Sequence, residues 1–144
     1  MKQNDSILLL KECDAGLKNA TSSMEQVMHH LEEGKLRRTI EEYNQEHIAI
    51  GKECSRLLEE NGRKERRPRP VVKAMSQMST AIRLRLSDTP ETVAALMHKG
   101  CQIGIRSLSH YLNQYPAADG SSRQLAEDVI KMEDSFERDL RPYL

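Results

Sequence analysis

The sequence has no tryptophan and a single phenylalanine, and aromatic residues fill only 3% of its 144 positions. Sheet proteins build their cores from Val, Tyr, Phe and Trp, so this shortage argues against an all-β or α/β answer. Cysteine is also sparse. Cys13, Cys54 and Cys101 form an odd set with no CxxC spacing, which excludes a disulfide framework and the usual zinc arrangements. They read as three buried, small apolar residues of a reducing compartment. Neither sign of charge prevails, with 22 Lys and Arg against 22 Asp and Glu, so no partner is selected by global charge. Long apolar runs are missing as well. The opening MKQNDSILLLKEC carries only Ile7 to Leu10 before Lys11, far short of the ~20 residues of a membrane span. A cytoplasmic protein without membrane contact is the expectation.

What is present is charge and methionine: 31% of residues are charged, 38% are hydrophobic and seven are Met. Long helices with thin apolar stripes and solvated outer faces have this composition, and the length suits one domain over 1–144. Steps of three and four appear at once. Leu10, Cys13, Leu17, Ala20, Met24, Val27 and Leu31 predict a helix over 6–33, with Asp5 or Ser6 as its cap. Past Gly34, the stripe Leu36, Ile40, Tyr43, His47, Ile50, Cys54 and Leu57 predicts a second over 35–60. Asn61-Gly62 suits a left-handed cap at its end. Pro68 and Pro70 break the basic stretch 63–70, and Val72, Met75, Met78, Ile82 and Leu86 predict a short crossover helix over 71–86. Asp88 or Thr89 then caps a helix over 90–115, with Pro90 in its first turn, and Ser121 or Ser122 caps a last helix over 121–141. The fold class is an all-α antiparallel four-helix bundle with a crossover helix between helices two and three.

Several strings in this layout look familiar: Glu46-His47, Leu57-Leu58 and Asn61-Gly62 in helix two, GCQIGIRSLSHYLNQYPAAD from Gly100, and the terminal DLRPYL. The chain resembles an uncharacterised ferritin-like four-helix-bundle family of anaerobic Gram-positive bacteria. The resemblance spans nearly the whole chain and implies a ferritin-like bundle, but no ferroxidase activity.

A di-iron bundle needs Glu-x-x-His pairs, which put both ligands on one helix face. The five histidines are preceded at that spacing by Gln26, Val27, Asn44, Ala95 and Ser107, so the motif is absent. Glu46, Glu53 and Glu133 flank the stripes, while Glu127 and Glu137 read as outward-facing. No cofactor is expected. His47 is the one histidine set squarely on a stripe, and two roles are open to it: a core residue bonded to Tyr43, Glu46 or a carbonyl, or a metal ligand with Glu46, Cys13 and Cys54.

Gly100 and Gly104 share a face, although glycine inside a helix costs about 1 kcal/mol relative to alanine. Close approach of helix one at Gly16 and Ala20 is the structural explanation; a small molecule against the bare backbone, near Tyr43 and His47, is the functional one. The basic stretch lacks the aromatic stacking residues of a nucleic-acid binder, and no nucleic-acid partner is expected. No nucleophile-and-base arrangement or phosphate loop occurs. The functional expectation is therefore a non-enzymatic bundle that acts by self-association or partner binding, as a homodimer through the crossover helix or a bundle face, with an atypical metal protein as the alternative.

Overall fold

The computed structural model describes residues 2–62 and 89–144, and they form four long helices: α1 (Lys2–Met28), α2 (Lys35–Gly62), α3 (Pro90–Gln114) and α4 (Gly120–Leu140), followed by a 3-10 turn at Arg141–Tyr143. No strand occurs among the described residues. The crossover helix expected over 71–86 and the basic stretch 63–70 lie outside them.

Four helix ends differ from the sequence reading, the first being the start of α1, which lies at Lys2 rather than at residue 6. α1 stops at Met28 rather than near Glu33, because the His29 and His30 amides turn back onto the Gln26 and Val27 carbonyls. Buried Leu31 then anchors the connection, its carbonyl taking a 2.9 Å bond from the Arg37 guanidinium. The left-handed cap expected at Asn61-Gly62 is not formed, since no described residue has a positive φ. Instead the Asn61 side-chain amide donates to the Leu57 carbonyl at 2.8 Å. α4 is capped by Asp119, not by Ser121 or Ser122: its carboxylate accepts the Ser122 amide at 2.8 Å. At α3, Thr89 is the cap, accepting the Thr92 amide with Pro90 beside it.

Side-chain links fix the directions of the helices. Tyr43 and His47 of α2 meet Asp139 and Glu133 of α4, and His98 of α3 meets Glu137 of α4, so both pairs run antiparallel. The first turn of α1 reaches the α3–α4 connection, where Asp5 accepts the Ala117 amide at 2.9 Å and Ser6 Oγ accepts the Asp119 amide at 2.8 Å. Asp5 and Ser6 thus tie two hairpins together rather than capping their own helix. α1 packs on α2, α3 and α4, and α4 also packs on α2 and α3, which leaves α2 and α3 as the diagonally opposed pair.

The core follows the stripes, with Leu10, Cys13, Val27, Ile40, Cys54, Val93, Ala126 and Leu140 all fully enclosed. Each large apolar side chain so buried contributes about 1.5–3 kcal/mol.

The Asp119 cap carries a pH signature. Burial opposes its charge, but the bond from the Ser122 amide and the neighbouring Ser6 outweigh that and hold its carboxyl below the ordinary value of 3.8. A carboxylate with a lowered folded value stabilises fully above its unfolded value and loses that contribution as pH falls through the folded one. Asp119→Ala is accordingly expected to cost about 1 kcal/mol at pH 7, with the gap to the parent protein closing below pH 3 in urea titrations. An equal gap at both pH values would show that the cap does not depend on the charge.

Candidate functional site

α1 and α3 face each other across their smallest side chains. Gly16 and Ala20 lie along one wall and Gly100, Gly104 and Ser107 along the other, yet a Cβ built on Gly16 or Gly100 would meet nothing within 4 Å. The close helix approach expected at these glycines is therefore not made. Larger residues at the two ends of the stripe, Tyr111 and Leu108 at one and Met24 and Leu96 at the other, act as spacers and leave the small-residue centre unfilled. The result is a cleft of about 560 Å³, within the ~300–1,000 Å³ typical of small-molecule sites.

His47 and Glu133 form its floor, at 1% and 6% exposure. The Tyr43 carbonyl lies 2.7 Å from His47 Nδ1 and can only accept, so Nδ1 carries a hydrogen. Nε2 then faces Glu133 Oε1, which makes the two a buried hydrogen-bonded pair. Phe136 presents its ring to the edge of the imidazole at 6.2 Å. Gly104 has a specific use here: the Glu133 carboxylate occupies its side, 3.4 Å from where a Cβ would stand.

One turn further along α4, Glu137 accepts from His98 Nε2 at 2.8 Å and pairs with Arg141 at 2.8 Å. Burial opposes its charge, but these partners outweigh that and lower its carboxyl below the ordinary value. Glu133 and Glu137 are both buried, which corrects their reading as a flanking and an outward-facing residue. In the sequence they stand at i and i+4 beside the α4 stripe, a spacing that solvated glutamates share, so it does not by itself mark them as buried.

Of the candidate residues, Gly100, Gly104 and His47 line the cleft. Tyr43 does not: its ring stacks on Phe136 at 4.5 Å and its hydroxyl donates to Asp139 at 2.6 Å. The metal set His47, Glu46, Cys13 and Cys54 is not assembled. Glu46 is exposed where the adjacent His47 is buried, because successive residues of a helix point about 100° apart. The Cys54 thiol is turned to the Leu10 carbonyl at 3.3 Å. No group of three or more His, Cys, Asp or Glu among the described residues is placed to hold a metal ion.

All three cysteines are buried and free. Burial, then Glu12 and Asp14, pushes the Cys13 thiol up to about 12. Cys54 is raised by burial and then by Cys13, and Cys101 by burial and then by Glu133. Thiolate is the reactive form, so all three thiols should stay unreactive to Ellman's reagent at pH 8 in the native protein and titrate together in denaturant. One thiol that reacts promptly without denaturant would contradict the packing described.

No helix among the described residues is long and apolar enough to cross a membrane. In comparisons with known proteins, no family model, no curated protein and no solved structure matched this chain.

Proposed function

We propose that this chain is a non-enzymatic binding protein whose cleft between α1 and α3 holds a small molecule. The observation that carries this reading is the cleft itself: facing glycines on two helices border open space of about 560 Å³ above a buried polar pair, rather than a close helix contact. Apolar walls with a few polar groups at the base are the common make-up of ligand sites between bundle helices.

Nile red, a neutral apolar dye, tests this. It is expected to bind saturably at one dye per chain, with enhanced fluorescence. Gly100→Leu places a side chain at the cleft while removing a helix-interior glycine, so the variant should melt higher yet bind the dye at least about fivefold more weakly. Absence of saturable binding to the parent protein would sink the proposal.

The ferritin-like arrangement belongs to this proposal. Two antiparallel hairpins with α2 and α3 diagonal and parallel support it, since a long connection is what such a pair requires. Three buried free thiols support a cytoplasmic setting. Self-association is a second reading, favoured by Ile103, which is 56% exposed on α3 at the rim of the cleft. The mass in solution, by light scattering, distinguishes dimer from monomer.

A further inference from the structure

The proposal of a cleft ligand leaves its chemistry open, and the hydrogen-bonding inventory of the walls narrows it. At the floor, His47 offers no free donor: Nδ1–H is committed to the Tyr43 carbonyl and Nε2 faces Glu133. The Glu133 carboxylate has about four lone-pair positions. Its hydrogen-bond partner among the described residues is His47. With no side chain at Gly104, this buried carboxylate borders the cleft without being covered from that side. On the α1 wall, the Asn19 side-chain oxygen is buried with no hydrogen-bond partner. Two turns away Glu12 also lines the cleft, and its charge, after the effect of burial, raises the Tyr111 hydroxyl. A buried carboxylate and an unpartnered amide oxygen thus border the cleft.

The field has a matching sign. Thiols on both walls are held protonated by neighbouring carboxylates after the effect of burial, Cys13 by Glu12 and Asp14 and Cys101 by Glu133 and Glu137. Lys99, the cationic lining residue that would oppose this, is exposed at the rim. Met24, Met97 and the Phe136 ring supply adaptable, polarizable surface that suits an organic cation.

We infer that the cleft selects an organic cation, a protonated amine on an apolar body whose N–H donates to the Glu133 carboxylate. This rests on the cleft-binding reading and goes beyond it by naming the ligand class. An unpaired carboxylate ligand is disfavoured, because it would meet the Glu133 carboxylate and the unpartnered Asn19 oxygen.

Three matched probes decide it: 4-phenylbutylamine, 4-phenylbutanol and 4-phenylbutanoate, each titrated at pH 7 as a competitor of Nile red. The amine should displace the dye at least tenfold more effectively than the alcohol, and the carboxylate least of all. Glu133→Gln keeps the size of the side chain and lets its amide donate to His47 Nε2, and it should erase the preference for the amine over the alcohol. The wild-type ranking stands alone if that variant does not fold. Equal displacement by alcohol and amine, tighter binding of the carboxylate, or no displacement by any probe would each overturn the cation inference while leaving the cleft reading intact. Failure of Nile red to bind at all would overturn both.

Discussion

Replacing Glu133 by alanine is expected to lower the stability of the bundle by about 3 kcal/mol, well above an ordinary surface substitution. The reason lies in His47 rather than in the lost carboxylate. With its Nδ1–H held by the Tyr43 carbonyl and its ring fully enclosed, the imidazole cannot turn to find another partner, so Nε2 is left buried and unsatisfied. The double substitution His47→Leu with Glu133→Met should recover most of the loss, because replacing both members by apolar groups of similar volume removes the unmet demand together with the pair. Urea denaturation of the two single variants and the double one measures this as a mutant cycle. A single-variant loss below about 0.5 kcal/mol, or a double variant no better than the worse single, would show that the pair is not the buried, mutually dependent unit described.

The second large effect is expected at Phe136. Its ring is almost fully buried, stacks on Tyr43 at 4.5 Å with the planes 15° apart, and meets the edge of His47. Phe136→Ala should cost about 4 kcal/mol, the sum of lost transfer free energy and the cavity left in a three-helix junction. Phe136→Leu refills most of that volume and forfeits mainly the ring stacking, so it should cost about 1 kcal/mol. The ratio between the two variants carries the information. Similar losses would mean that ring geometry, not volume, dominates, whereas two negligible losses would place Phe136 outside the core.

Much of this fold was legible because each stripe is continuous. Leu125, Val129, Met132, Phe136 and Leu140 read as one apolar seam, and all are buried. The seam is wider than it looks, however. A core-facing helix buries an arc of 100° or more, and on α4 that arc takes in the positions just after Met132 and Phe136, where glutamates stand. Carboxylates normally lie outside, and nothing within α4 signals otherwise. Their burial depends on the register at which α4 meets α2 and α3, which periodicity along one helix does not encode. The same blindness affected the search for metal ligands. Glu-x-x-His is a pattern within one helix, while the acid–imidazole pairs here join different helices, His47 to Glu133 and His98 to Glu137.

The glycines show the converse. Gly16, Gly100 and Gly104 marked the correct interface from sequence alone, since unexplained glycine in a helix requires a neighbour or a space. Which of the two applied was decided by side chains a turn or two away, the spacers Tyr111 and Met24, whose influence appears only once α1 and α3 are set antiparallel. Only Gly104 has a close tenant, the Glu133 carboxylate.

The separation of His47 from its partner has a consequence for synthesis of the chain. Glu133 follows His47 by 86 residues, so during translation the first hairpin is complete long before the carboxylate emerges from the ribosome. Until then the hairpin displays this imidazole on its inner face, where water must solvate it.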